Sequence, residues 1–393
     1  MLALNNSLSA DLFTVYKPER SISFDGISDH IKIPAFSSTN HTIHGWIKKN
    51  DTSGNKTVID FRDDTGDGIM IFFLGNEKMR YLVNDATLQT SSAIASSTWI
   101  HIGCTYDGST QKIYLNGELI ASQSTSQTIN TTNLGMIGGR AFSTFANGFS
   151  GNILQLTGFT RALAEEEIAA IYNNGVPLNP TLPIVGYATT NIAFSYLFGD
   201  CSLDTFPILG DALNTSKGAE LLSSTYDTNP NDDDNWIFGF YPATDVHENT
   251  ALTYNSTEKQ VEINVSYPAS NTETQHYQII QVNAGNVVLH AGDFKTEVSG
   301  FAKLHGNVGD SFTGSSPCPA DGQFHRLQHI GFTDSNSQSG FDVYRFQGAV
   351  SSSIIGNTFS YQYTVKNPSV KILGGKAGLL KNMTEANITT DTP

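Results

Sequence analysis

The residues best equipped for chemistry lie in the second half of the chain. Trp236, Phe240, Tyr241 and Tyr277, with His276, Gln278 and Gln281 close by, combine flat apolar rings with amide and imidazole hydrogen-bonding groups. Aromatic faces stack on pyranose rings while amide and carboxylate side chains bond the hydroxyls, so Trp236, Phe240, Tyr241, Tyr277 and Gln278 form the candidate glycan-binding set. The alternative place for the same rings is a hydrophobic core. Just upstream, DTNPNDDD sets Asp227, Asn229 and Asn231 at alternate positions, with Asp234 at its end, as in the first half of a calcium loop. Asp232 stands where such a loop has its glycine. FRDDTGDG offers the same spacing with Asp63, Thr65 and Asp67 before Gly68, but Leu74 replaces the bidentate glutamate. Of the two, Asp227, Asn229, Asn231 and Asp234 are the expected Ca2+ ligands, because crowded carboxylates repel unless a cation or water relieves them. A solvated hairpin turn is the alternative at both.

Other chemistries find less support. His325 and His329 are four residues apart in FHRLQHIGF without a third ligand nearby, and neither a Gly-x-Ser-x-Gly elbow nor a Gly-x-x-x-x-Gly-Lys phosphate loop occurs. A net charge of −15 argues against a phosphate-backbone partner, so no nucleic acid is expected. Cys104, Cys201 and Cys318 are odd in number and far apart, which predicts reduced, mostly buried thiols rather than a disulfide framework. MLALNNSLSADLF lacks the basic and continuously apolar regions of a signal peptide, and no apolar run approaches the roughly 18 residues that span a bilayer. Synthesis in a cytoplasm and no membrane insertion are expected.

The elements that must position these residues are strands. In TWIHIGCTYDGSTQKIYLNGELIAS, apolar residues alternate with polar ones through Trp99–Tyr106 and Lys112–Leu115, punctuated by Asp107-Gly108 and Asn116-Gly117. That pattern predicts antiparallel hairpins with one buried face, and it places Trp46 and Trp99 in the core. One helix is expected over Glu165–Asn173, with three glutamates at its positive end, Gly175 to stop it, and Ile168, Ile171 and Tyr172 buried. PLNPTLPI, with Pro177, Pro180 and Pro183, reads as a stiff linker. The expected organisation is an arm (1–20), a first sandwich (21–178), a linker and bridging segment (179–217), a second sandwich (218–373) and a tail (374–393).

The central stretch WIHIGCTYDGSTQKIYLNGELIA resembles the signature of laminin G-like, concanavalin A-like jelly rolls. SISFDGISDHIKIP, TIHGWIK and FSGNILQLTGFTRALAEEEIAAIYNNG follow that family's order over about 155 residues. GAELLSSTYDTNPNDDDNWIFG, HYQIIQVNAGNVVLHAGDFKTEVSGFAKLHG and NTFSYQYTVKNPSVKILGG resemble a carbohydrate-binding-module jelly roll, with an insertion at 310–325. The resemblance implies an all-β protein: two antiparallel jelly-roll β-sandwiches joined by a Pro-rich linker and a short bridging segment. Glycoside hydrolases of the concanavalin A type carry Glu-x-Asp-x-x-Glu on one strand, and this sequence has no such run.

The arrangement of the two modules around an FGDC-type bridge resembles structural proteins of tailed bacteriophages: fibres, appendages and head-decorating proteins. It implies a non-enzymatic virion protein, made in the host cytoplasm, that contacts other virion proteins, forms a homo-oligomer and binds a host-surface glycan. The alternatives are a decoration subunit that binds no glycan and a glycan-processing enzyme.

Overall fold

The structure, a computed structural model, describes residues 17–50, 53–130, 133–140, 145–213, 237–241, 250–255, 257–258, 260–267, 273–281, 285–297, 302–306, 310–311, 318–333, 341–349, 359–373 and 376–393. In chain order the first part contributes β1 (Ser21–Asp25), β2 (His30–Ile33), β3 (His41–Lys49), β4 (Lys56–Asp60), β5 (Ile69–Phe73), β6 (Met79–Val83), β7 (Ala86–Gln89), β8 (Ile100–Tyr106), β9 (Thr110–Leu115), β10 (Glu118–Ser124), β11 (Gly135–Ile137) and β12 (Ser150–Phe159). Helix α1 (Glu165–Tyr172), β13 (Ile192–Tyr196) and β14 (Ile208–Leu209) follow. The second part holds β15 (Ile237–Tyr241), β16 (Thr250–Asn255), β17 (Gln260–Tyr267), β18 (Glu273–Gln281), β19 (Val287–Thr296), β20 (Ala302–Gly306), β21 (Asp310–Ser311), β22 (His325–Phe332), β23 (Phe341–Ala349) and β24 (Phe359–Ile372). The chain closes with β25 (Gly378–Lys381) and β26 (Ile388–Thr389).

All strand pairs among the described residues are antiparallel, and they build two β-sandwiches. In the first, one sheet runs β10-β9-β8-β3-β12-β1-β26, with β13 also on β12, and the other runs β14-β25-β2-β11-β4-β5-β6-β7. The alternation read from the sequence fixes which residues meet between the sheets: Ile43, Ile47, Ile102, Cys104 and Ile113 from one, Ile31, Ile33, Ile59, Ile71 and Tyr81 from the other. Each such side chain contributes roughly 1.5–3 kcal/mol by leaving water. The expected turns form as the residues dictate. Asp107 accepts from the Ser109 and Thr110 amides at 2.9 and 2.7 Å, and Asn116 and Gly117 both adopt the left-handed backbone of a two-residue hairpin.

Helix α1 lies over the outer face of the first sheet. Ile168 and Ile171 are buried with Tyr114, Phe159, Leu163 and Tyr187, and Gly103 leaves the space that Ile168 occupies. Glu167 accepts from the Ala164 amide at 3.0 Å and pairs with Arg161 at 2.7 Å, closing the first turn. Asn173, in left-handed conformation, ends the helix two residues before Gly175.

Several expectations need correction. The bridge is not a separate linker: β13 pairs with β12 and β14 with β25, so residues 192–209 belong to the first sandwich. The Pro-rich segment folds back onto it, with Pro180 accepting the Tyr187 hydroxyl at 2.8 Å. Residues 374–393, read as a tail, supply β25, which sits between β14 and β2, and β26, which pairs with β1. Trp99 is half-buried rather than core; its indole nitrogen donates to Asp391 at 3.0 Å, and Asp391 also pairs with Lys48 at 2.8 Å. Trp46 is buried, but under Tyr172 on the outer face of its sheet.

The second sandwich is therefore an insertion into the first, entered after β14 and left before β25, two strands that are hydrogen-bonded neighbours. Its sheets run β15-β18-β23-β20 and β16-β17-β24-β19-β22-β21. Val287, Ile330, Phe332 and Leu373 of the six-stranded sheet pack on Leu134, Ile208, Ala377 and Leu379 of the first sandwich. No described helix is long and apolar enough to cross a membrane.

Candidate functional site

The glycan-binding set from the sequence falls on neighbouring strands where it can be followed. Register pairs Ile237 with Tyr277, Phe240 with Thr274 and Tyr241 with Glu273, so Phe240 and Tyr241 on β15 lie three or more positions along the strands from Tyr277 and Gln278 on β18 and are not brought opposite them. Trp236 and the Ca2+ candidates Asp227, Asn229, Asn231 and Asp234 lie outside the described residues.

The other half-loop is a turn closed on itself. Asp63 accepts from the Thr65 amide at 2.9 Å, the Thr65 hydroxyl at 2.6 Å and the Asp67 amide at 3.0 Å. These bonds, led by the Thr65 hydroxyl, hold its carboxyl below the usual range. Among the described residues no cluster of three or more His, Cys, Asp or Glu could hold a metal ion. His325 and His329 both lie on β22, where four residues span about 13 Å. His325 binds the Asp321 carboxylate at 2.9 Å, while His329 is buried beside His290 with ring centres 5.7 Å apart.

Histidines the sequence did not single out are strongly perturbed. His44 Nδ1 and His101 Nε2 are 3.2 Å apart beneath Trp46, Phe159 and Tyr172. Burial lowers His44 to about 3 and pushes His101 well below its usual value. In the inter-sheet core His41 Nε2 lies 2.5 Å from the Tyr81 hydroxyl and is lowered by burial to about 4. These walled-in, neutral rings stabilise packing; neither pair opens onto a described cavity.

A recess with ligand-site character lies instead at the junction of the sandwiches. Its frame is the loop 199–210, held by one carboxylate. Asp204 accepts from the amides of Gly199 at 2.6 Å, Cys201 at 3.2 Å and Gly210 at 2.7 Å. Burial nevertheless raises its carboxyl to about 6. Next in sequence, buried Asp211 accepts from the Ser195 and Leu213 amides through Oδ1 at 3.0 and 3.1 Å. Burial raises its carboxyl too, against the pull of Lys376, whose ammonium bonds the Ala193 carbonyl. The resulting cleft, of about 250 Å3, is walled by Leu203, Phe206 and Ile208 from the first sandwich and Leu289, Ile330 and Leu373 from the second. Thr205, Asp211 and Gln328 are its polar members. A smaller, polar recess beside it shares Leu203 and Asp211 and adds Asn179, Thr181, Asp200 and Ser202. No motif announced either recess, because their walls come from segments that meet only in three dimensions.

Comparison with known proteins agrees with the fold of the first sandwich. No curated protein matches the chain. Among solved structures, a candidate carbohydrate-binding protein from Bacteroides ovatus ATCC 8483 is 16% identical with a TM-score of 0.42. That likeness covers 50% of this chain and 56% of the other, so the chain spans little more than half of that protein's length. The heptameric SAP-like pentraxin of Limulus polyphemus is 16% identical over 39% of this chain and 82% of its own, with a TM-score of 0.32. The CBM40 of the Ruminococcus gnavus IT-sialidase, bound to α2,3-sialyllactose, is 17% identical over 39% of this chain and 97% of its own, with a TM-score of 0.33. Residues 25–169, the greater part of the first sandwich, match the family described as the Concanavalin A-like lectin/glucanases superfamily.

Proposed function

We propose that this chain is a non-catalytic, glycan-binding structural protein of a tailed-phage virion. The observation that carries the glycan reading is the match of residues 25–169 to a superfamily of lectins and glucanases. Within that superfamily the sequence favours the lectin side, since it has no Glu-x-Asp-x-x-Glu strand run. The acidic cluster at Glu165–Glu167 opens α1, where Glu167 is committed to Arg161 and to the Ala164 amide. In the second sandwich the proposed platform is Trp236, Phe240, Tyr241, Tyr277 and Gln278, with Ca2+ at Asp227, Asn229, Asn231 and Asp234. The virion reading rests on the order of modules and phrases, a laminin G-like sandwich, an FGDC bridge and a GAELLS module. Other virion proteins and further copies of this chain are the proposed partners.

A glycan array probed with the full chain tests the binding reading, and reducing-sugar release from host polysaccharide tests the non-catalytic one. Retained binding without release is the expected pair of results. Release of sugar would make the chain an enzyme, and a blank array would leave a decoration subunit. Mass spectrometry of purified particles should find the chain; its absence would end the virion reading.

A further inference from the structure

We infer that the cleft between the two sandwiches binds one neutral sugar ring of the glycan, a site separate from the aromatic strands β15 and β18. The inference rests on the glycan-binding reading and assigns it a place and a chemical class. Size comes first. Drug-sized ligands fill pockets of about 300–1,000 Å3, so a cleft of about 250 Å3 admits a single ring rather than an oligosaccharide. The lining then fits the two-faced chemistry of a pyranose. Phe206, Leu203 and Ile330 supply apolar walls for the C–H groups of the ring.

Three polar side chains, Thr205, Asp211 and Gln328, face the same space and match hydroxyls. Asp211 uses Oδ1 for Ser195 and Leu213, and its Oδ2 accepts no hydrogen bond from a described residue. An ionised carboxylate is acceptor-only, so it calls for a hydroxyl donor. Charge selects further. Among the described residues no Lys or Arg lines the cleft, and the nearby Lys376 ammonium bonds the Ala193 carbonyl and already pulls on the Asp211 carboxylate. A carboxylated sugar would therefore meet the Asp211 carboxylate with no lining cation of its own to pair with. Because the walls belong to both sandwiches, a ring seated here bridges them, so binding stabilises the two together.

Calorimetric titration and thermal melts of the full chain, with methyl glycosides of neutral hexoses and of glucuronic and N-acetylneuraminic acid, provide the test. A neutral glycoside should bind and raise the melting temperature, with the acidic ones weaker by about tenfold. Thr205 is exposed and Thr205→Val keeps its shape, so the variant should fold as wild type and bind about 2- to 12-fold more weakly. Ile330→Trp fills the cleft and should abolish binding, with circular dichroism confirming its fold. Wild-type array binding that survives both variants unchanged would overturn the site and leave glycan binding standing. Preference for the acidic sugars would overturn the class. A wild type that binds neither array nor glycoside would overturn both readings.

Discussion

Lowering the pH from 7 to about 5 should strongly destabilise the first sandwich through its buried histidines. His30 and His41 are lowered to about 4 and His44 to about 3, each mainly by burial. The unfolded chain binds these protons with the ordinary histidine value near 6.5. Above that value neither state is protonated and the groups contribute nothing. As the pH falls from about 6.5 toward 4, the unfolded state gains protons that the folded state refuses, so stability falls. At pH 5 each ring costs about 2 kcal/mol, and the three together about 6 kcal/mol. Asp204, raised to about 6, works the other way: its folded form takes up a proton first and returns about 1.4 kcal/mol at pH 5. The remaining loss, about 4–5 kcal/mol, is comparable with the roughly 5–15 kcal/mol that holds a domain folded. Urea unfolding followed by tryptophan fluorescence should show the midpoint collapsing between pH 7 and about 5 at nearly constant slope. His30, stacked on Phe145 and bonded to the Ser28 carbonyl, is the ring most easily replaced. His30→Asn should reduce the loss between pH 7 and 5 by about 2 kcal/mol. A midpoint that does not move over that range, or a variant that loses as much as the wild type, would refute the argument.

Three further outcomes follow from the packing. Trp99→Ala should cost about 1–2 kcal/mol and leave the sandwich folded, since the ring is half-buried and its main loss is the Asp391 bond. A double-mutant cycle with Asp391→Ala in urea should show the two changes to be less than additive. Gly151→Ala should destabilise by more than about 3 kcal/mol, because a Cβ there meets the Lys48 carbonyl oxygen at 2.0 Å in a left-handed backbone; a melting temperature near that of wild type would show that the strand can shift. Truncation before Gly378 removes β25 and β26 and should yield an insoluble or protease-sensitive chain, whereas an authentic tail would be lost without effect, as limited proteolysis will tell.

What the sequence made legible is what its neighbours in the chain decide. Asp107-Gly108 and Asn116-Gly117 form turns through their own side chains and backbone, and α1 carries its buried stripe and its glutamates within one segment. Trp99 misled because alternation continues into Ile100, while its partner Asp391 lies almost three hundred residues away. Gly378–Lys381 is short and follows a glycine-rich stretch, so nothing local marks it as a strand; its place is set by Ile31 and Lys32. Asp63 has calcium-loop spacing because a tight turn and half a metal loop ask for the same side chains at the same positions. The junction cleft needs Leu203, Leu289 and Leu373 together, and no spacing rule connects them.

The return of the chain to its first sandwich has a consequence for the nascent polypeptide. β2 lacks one neighbour until Gly378–Lys381 leaves the ribosome, and β1 until Ile388–Thr389 does. About 170 residues separate β14 from β25, which at roughly 5–20 residues per second amounts to about 8–34 s of translation. Throughout that interval the strand edge next to Ile31 and Ile33 is bare, the kind of surface that recruits strands from other chains. Because β14 and β25 are hydrogen-bonded neighbours, both tethers of the inserted module must meet before the last strand can enter its slot. A ribosome that stalls before Lys381 leaves that slot open, however much of the protein has already been made.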